Sequence, residues 1–309
     1  MLNMAPIEEV LKAERIDDAV AMARKSANPS KGITILDFDD TLATSKSEVI
    51  STSPDGVVRK LTAEDFANEG AELLEQGWKH DFSEFDKVVG GKVARLFKKA
   101  LKLNPEYKEA HNNLANLKLL SSTSAKIAQG EVLQLQHKGE ADLLEETYID
   151  IINLKTASLF SAATKTGACL SSSNEKEKKA LESYGRNLGL AFQIADDALD
   201  YYAKEKFFGK EIGKDFYEGK VTLPLITIFQ KGNEEEKEFL TDIMKKEKRT
   251  EEDFSETLAL IFKYKAIETS LKKAEYFVNV SYDALAIFPD NEDKKILQNL
   301  TSFSLNRSF

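Results

Sequence analysis

The sequence predicts a mainly α-helical protein with a small α/β segment at its N-terminus. Apolar residues recur at the 3.6-residue spacing of amphipathic helices from about residue 62 onward, most clearly in residues 239–244, 254–264, 267–288 and 294–303. Between positions 106 and 288 the sequence has one proline, Pro224, so little in that stretch would interrupt a helix. Residues 33–37, in contrast, are a short β-branched run typical of a buried strand.

An aspartate-rich turn follows that strand. Asp37 and Asp39 are two residues apart, a spacing that can supply a nucleophile and a general acid. With Thr41 as a supporting group, the turn resembles the first motif of haloacid-dehalogenase-type phosphatases. That family needs further parallel strands, which the helical pattern of the remaining chain does not supply. An inert turn after one strand is therefore the favoured interpretation.

Differences in sequence pattern along the chain predict three segments. Residues 1–91 contain the strand and a hairpin signal, in which residues 48–51 and 56–59 flank a Ser-Pro-Asp turn. Residues 92–120 predict two helices joined by a proline turn, a connector that resembles one tetratricopeptide repeat. Residues 121–309 predict a helical domain. Abrupt boundaries between segments of unrelated sequence pattern are typical of a chimeric gene product.

Composition limits the classes of function. The net charge is −9 and the lysines and arginines are dispersed, which gives no support to nucleic-acid binding. The one cysteine, Cys169, excludes an intrachain disulfide and fits a cytoplasmic protein. Because no apolar run reaches roughly 18 residues, we expect no transmembrane segment.

The most informative stretch is residues 191–200, where three carboxylates lie inside an apolar run. On a helix that advances about 100° per residue, one face carries the polar residues of this run: Gln193, Asp196, Asp197 and Asp200. Like charges beside a packed face repel one another and resist desolvation, so a bound cation would stabilise them. Hard carboxylate oxygens suit Mg²⁺, which also bridges to phosphate oxygens. The alternative is a solvated acidic helix face.

Lysines lie on both sides of this run in the sequence. Lys155 and Thr156 belong to an earlier helical pattern, and a loop broken by glycines carries Lys210 and Lys214. Cations held by carboxylates bridge the oxygens of a diphosphate, and ammonium groups neutralise the charge that remains. The combination predicts a Mg²⁺–diphosphate site.

Six segments, in the same order, resemble the C-terminal half of trans-isoprenyl diphosphate synthases, the polyprenyl synthetase family. They are residues 130–135, 155–156, 184–193, 196–200, 209–215 and 218–224. The resemblance covers about sixty per cent of the chain, from residue 121 to residue 309. It implies an all-helical, isoprenoid-synthase-like fold for the C-terminal region.

The resemblance also implies roles for the site residues. The three aspartates would hold Mg²⁺ against an allylic diphosphate, and Gln193 would face the reacting carbocation, with Thr156 on the same wall. The diphosphate would be bound by the lysines of this region: Lys155, Lys210 and Lys214. The implied reaction is attack of isopentenyl diphosphate on the allylic cation, and the implied assembly is a homodimer or a heteromer.

A second aspartate-rich motif, followed by an Arg-Arg pair, would be needed for full activity. The other Asp-Asp pairs, at residues 17–18 and 39–40, lack both the third aspartate and the arginines. The leading hypothesis is therefore a synthase-like protein with one half of the metal site and little turnover alone. The alternatives are a non-catalytic or heteromeric partner subunit, and a phosphatase that uses Asp37 and Asp39.

Overall fold

The fold is dominated by helices, which confirms the predicted fold class. The computed structural model describes residues 44–45, 48–61, 63–81, 88–90, 92–171, 173–202 and 212–306. The predicted strand at 33–37 lies outside the described residues, as do the candidate site residues Asp37, Asp39, Thr41 and Lys210.

The described helices are numbered in chain order. They are α1 (Ala63–Glu75), α2 (Lys92–Leu103), α3 (Lys108–Gln136), α4 (Glu145–Ile152), α5 (Ser158–Leu170), α6 (Glu175–Leu199), α7 (Lys214–Glu218), α8 (Leu223–Lys231), α9 (Glu234–Met244), α10 (Glu251–Lys263), α11 (Ala266–Ala284) and α12 (Glu292–Asn306). A π-helical turn (Asn153–Ala157) joins α4 to α5, and a 3-10 turn (Leu285–Ile287) follows α11. No helix in the described ranges is long and apolar enough to cross a membrane.

The described strands form two small antiparallel sheets. One sheet pairs β1 (Thr44–Ser45) with β5 (Val88–Gly90). The other contains β2 (Val49–Thr52), β3 (Val58–Leu61) and β4 (Lys79–Asp81), in the order β3-β2-β4. The predicted hairpin is confirmed, because β2 and β3 pair from Val49 opposite Leu61 to Thr52 opposite Val58. Gly56, at φ +85°, supplies the left-handed turn residue.

The larger sheet packs against the helical region through α3. Val49 and Leu61 from the sheet and Leu73 from α1 bury their side chains together with Val132, which lies on α3. This small core therefore joins the N-terminal strands to the helical region by burial of apolar surface.

Helix α3 is continuous across the predicted joint between residues 120 and 121. The Ser/Thr-rich residues 121–124, which follow this predicted boundary, lie inside the helix. Thr123 donates its hydroxyl to the carbonyl of Leu119 at 2.8 Å, and Ser124 donates to Leu120 at 3.2 Å. Hydroxyls that bond one turn back along a helix satisfy themselves locally, so these residues do not end it.

Helix α6 is the centre of the helical core. It packs against α5 and α11, and its residues Ile194 and Ala198 are fully buried in the main hydrophobic core. A capping box starts the helix, because Asn174 accepts hydrogen bonds from the Lys176 and Glu177 backbones while Glu177 returns one. Small residues permit the close approach of the π turn that leads into α5: a Cβ at Gly189 would lie 2.6 Å from the Cα of Ala157.

Candidate functional site

The site is organised around Asp197, near the C-terminal end of α6. Its side chain is buried, with 4% of its surface exposed, and both of its oxygens accept hydrogen bonds. Tyr148, on α4, donates its hydroxyl to Oδ2 at 2.6 Å, and Gln193 donates its amide to Oδ1 at 2.8 Å. These two bonds fix the carboxylate and satisfy part of the hydrogen bonding that burial removes.

The network continues from Gln193 to the π-helical turn. The hydroxyl of Thr156 donates to Gln193 Oε1 at 2.7 Å, so α4, α6 and the π turn are joined by a continuous chain of side chains. The predicted shared face is confirmed for Gln193 and Asp197, which are in direct contact at i, i+4 spacing. Single π turns of this kind frequently occur at functional sites.

Lys155 lies on the same π turn but points toward α3. Its ammonium group forms an ion pair with Glu131 at 2.8 Å and donates to Gln134 at 2.9 Å. Close backbone packing supports this arrangement, because a Cβ at Gly130 would lie 2.6 Å from the Lys155 backbone nitrogen. Residues 130–135 and the Lys155-Thr156 pair, two of the six segments identified in the sequence, are therefore in contact in the fold.

Asp196 and Asp200 are half-buried rather than buried. Asp200 lies just past the end of α6, and its Oδ2 accepts a hydrogen bond from the backbone nitrogen of Asp215 at 2.9 Å. Its carbonyl accepts from the backbone of Gly213 at 2.9 Å, and Gly213 adopts the left-handed φ of +78° that starts α7. The end of α6 and the start of α7 are thus held together beside the aspartates.

Helix α7 and the residues just after it bring two lysines and two further acids to this end of the molecule. Lys214 is exposed and lies 3.6 Å from Glu218. Lys220 forms ion pairs with Asp215 at 3.0 Å and Glu218 at 2.6 Å. Burial opposes the charged form of Lys220, but the bonds to Glu218 and Asp215 outweigh it and raise the pKa of its ammonium group.

Electrostatics set Asp197 apart from an ordinary carboxylate. Burial, reinforced by the negative charge of Asp215, raises the pKa of Asp197 from 3.8 to about 7, although the hydrogen bonds from Tyr148 and Gln193 act in the opposite direction. Burial, followed by the charge of Asp197, raises the pKa of Tyr148 well above its usual value. The tyrosine hydroxyl therefore stays protonated and remains a donor.

The raised pKa of Asp197 predicts a pH dependence of stability. Between about pH 4 and pH 7 the folded chain binds a proton at Asp197 that the unfolded chain has already released, so the free energy of unfolding falls as pH rises through this window. Urea unfolding in EDTA from pH 4.5 to 8, on the wild type and on Asp197→Asn, measures this contribution. The variant is expected to lose that part of the slope; equal slopes would contradict the assignment.

Some residues of the network were not predicted from the sequence. Tyr148 lies 49 positions from Asp197 and occupies an apolar position of its own helix, so its hydroxyl carried no recognisable signal. Asp215 and Lys220 fell in the predicted loop, without an assigned role. The π turn was also not predicted, because its residues have no sequence pattern that distinguishes it from the α-helices on either side.

The donor set fits Mg²⁺ only as a site completed by a ligand. Among the described residues, no group of three or more His, Cys, Asp or Glu side chains is arranged to hold a metal ion. Asp197 already has a protein donor on each oxygen, which leaves Asp196 and Asp200 as the half-exposed carboxylates of the predicted set. Mg²⁺ commonly takes one or two carboxylates together with water and substrate phosphates, and this chemistry matches such a pair.

Comparison with known proteins finds a matching family model and similar synthases. The polyprenyl synthetase family model matches residues 93–261, so the match begins inside the segment predicted as a connector. The octaprenyl diphosphate synthase of Haemophilus influenzae is 33% identical over 197 residues, which are 64% of this chain and 60% of that protein. A short chain isoprenyl diphosphate synthase of Methanothermobacter thermautotrophicus is 32% identical over 220 residues, 71% of this chain and 66% of that protein.

Solved structures agree with the sequence comparison. Polyprenyl synthase from Caulobacter crescentus, complexed with calcium and isoprenyl diphosphate, is 37% identical with a TM-score of 0.60, over 70% of this chain and 64% of that one. A decaprenyl diphosphate synthase from Rhodobacter capsulatus is 33% identical with a TM-score of 0.60, over 65% and 63%. The chain spans about 60% of the length of the curated relatives it matches. The haloacid-dehalogenase-like and tetratricopeptide-like resemblances stay predictions.

Proposed function

The chain belongs to the polyprenyl synthetase family, and on that premise we propose that it carries the half of a prenyl-transfer site that binds an allylic diphosphate through Mg²⁺. The observation that carries the proposal is the hydrogen-bond network from the buried Tyr148 and Asp197 through Gln193 to Thr156. A chain keeps a buried carboxylate with a raised pKa most readily where it serves a site.

Within this proposal the aspartates have two different tasks. Asp196 and Asp200 are half-buried and would supply oxygens to Mg²⁺. Asp197 is held by Tyr148 and Gln193 and would fix the position of this helix end and add to the negative charge of the site. When bound, Mg²⁺ neutralises diphosphate charge and so assists departure of the diphosphate.

Basic residues would take up the remaining charge of the diphosphate. Lys214 is exposed at the start of α7. Its side chain can turn from Glu218 toward an incoming anion, because an exposed ion pair contributes little to the free energy of folding. Lys155 is held by Glu131 and Gln134 and would meet the diphosphate from the π turn. Lys210 belongs to the same predicted set. The amide of Gln193 and the hydroxyl of Thr156 would present dipoles to the allylic cation.

The proposed reaction is transfer of an allylic group to isopentenyl diphosphate. The bond between the allylic carbon and its diphosphate oxygen breaks, the double bond of isopentenyl diphosphate attacks that carbon, and a proton is lost. The sequence has no second Asp-rich motif of the required form, and a second copy of the chain would lack it too, so we propose that another polypeptide completes the site. A heteromer is the assembly that supplies this motif, whereas a homodimer would not.

The test is an incubation with Mg²⁺, farnesyl diphosphate and labelled isopentenyl diphosphate. We expect the purified chain to bind farnesyl diphosphate but to form little elongated product, because metal ions held from one side ionise the substrate poorly. Binding is followed in parallel by calorimetry, so that lack of product is not confused with lack of substrate. Robust elongation by the chain alone, lost on Asp197→Ala, would overturn the half-site proposal.

A further inference from the structure

A polar cleft lies on the helical region, apart from the aspartates. It has a volume of about 500 Å³ and is bordered by α3, by the π turn with α5, and by α6. None of the residues assigned to the Mg²⁺–diphosphate site lines it. Four charged residues do: Lys126, Lys179, Glu182 and Arg186.

The charge of this cleft is positive. Glu182 is compensated, because it forms an ion pair with Lys165 at 2.8 Å. Within the part of the chain that the structure describes, neither Lys126 nor Lys179 forms an ion pair or a side-chain hydrogen bond, and both are exposed. Three cationic groups from α3 and α6, none of them in an ion pair within the described ranges, therefore line the walls of one cleft.

Arg186 is held in a definite orientation. Its Nε donates to Asn153 Oδ1 at 2.7 Å, which fixes the plane of the guanidinium and leaves the terminal nitrogens to face a ligand. A planar arginine presents two parallel donors, the geometry that matches the oxygens of a phosphate. The anchor residue, Asn153, comes from the π turn rather than from α6, so two elements set this orientation.

The hydroxyl groups of the cleft differ in what they offer. Ser158 and Ser161 donate to the carbonyls of Leu154 and Glu182 at 2.6 Å and 3.3 Å. Ser183, in contrast, accepts from the amide of Asn187 at 3.3 Å, so its own hydrogen remains available as a donor. The cleft thus presents one hydroxyl donor and three cationic donors.

We propose that this cleft binds a phosphate- or diphosphate-bearing anion at a site separate from the aspartates. Several cationic donors from more than one wall suit a group with three or more oxygens and at least two negative charges better than a carboxylate. The volume exceeds that of a bare phosphate and lies in the range of small-ligand pockets. The anion is either free diphosphate or the phosphate end of a small ester.

The experiment is calorimetric titration of the full chain in EDTA, without divalent cations and at low ionic strength, because salt screens exposed charges. Inorganic diphosphate and phenyl phosphate are the two probes. We expect the Lys126→Gln, Lys179→Gln double variant to weaken binding at least about tenfold. The tighter probe identifies the source of the anion, as a free diphosphate or an ester.

Two kinds of control separate this site from general charge and from the proposed function. Lys178→Gln removes a lysine of α6 that pairs with Glu175 at 2.8 Å outside the cleft, and should leave affinity unchanged. Asp200→Asn and Lys214→Gln alter the Mg²⁺–diphosphate site and should also leave it unchanged. The proposal is overturned if neither probe binds the wild type, if Lys178→Gln weakens binding as much as the double variant, or if Lys214→Gln abolishes it.

Discussion

Asp200→Ala is expected to lower the Mg²⁺-dependent affinity for farnesyl diphosphate by about two orders of magnitude. The substitution removes a half-buried carboxylate that we propose as a metal ligand. It also removes the oxygen that accepts from the Asp215 backbone at 2.9 Å, and so releases the start of α7. Titration of farnesyl diphosphate with and without Mg²⁺ measures the loss.

Asp200→Asn separates the two effects of that substitution. Asparagine retains an oxygen to accept from the Asp215 backbone but carries no charge, so it should retain the loop and still lose most of the affinity. Asp242→Ala, on the exposed face of α9, removes the same charge elsewhere and should have no effect. In EDTA the wild type, Asp200→Asn and Asp242→Ala should bind alike. Unchanged Mg²⁺-dependent affinity in both Asp200 variants would exclude this residue as a ligand.

The helical fold followed from the sequence because its apolar spacing is regular. The segments predicted at 239–244 and 254–264 correspond to α9 (Glu234–Met244) and α10 (Glu251–Lys263), whose starts differ from prediction because capping residues extend each helix. Asn233 and Thr250 cap these helices through boxes with Glu236 and Asp253. Such charged first turns lack apolar residues and are missed by a periodicity analysis.

The candidate site was predictable only in part. The spacing of Gln193 and Asp197 predicted their shared face, since residues four apart on a helix are neighbours. The contacts that distinguish the three aspartates were not predictable, because Tyr148 and Asp215 reach them through the tertiary fold. One pattern of three similar carboxylates thus became one buried, hydrogen-bonded residue and two half-exposed ones.

The π turn is the other feature that the sequence did not predict. It places Lys155 toward α3 and Thr156 toward α6, although the two residues are adjacent. Its position depends on close packing, since Ala157 at its end is fully buried against Gly189. Packing at this one contact therefore links the stability of the core to the geometry of the site.

Gly189→Ala is expected to reduce the free energy of unfolding by about 2 kcal/mol. The added Cβ would lie 2.6 Å from the Cα of Ala157 and 3.1 Å from the Cβ of Phe160. The first of these atoms is backbone, which cannot rotate away as a flexible side chain can, so the π turn and α6 must separate. The shift would also stretch the 2.7 Å bond from Thr156 to Gln193, and farnesyl diphosphate affinity should fall with stability.

Gly167→Ala is the matched control for this substitution. Gly167 is also helical, on α5, but a Cβ there meets nothing within 4 Å. The change should therefore show only the helix preference of alanine, a gain of roughly 0.5–1 kcal/mol. Urea unfolding of both variants compares the free energy of unfolding for the same glycine-to-alanine change at the two positions. If Gly189→Ala proves as stable as Gly167→Ala, the close contact between α6 and the π turn does not limit the fold, and the proposed coupling of core packing to Thr156 is wrong.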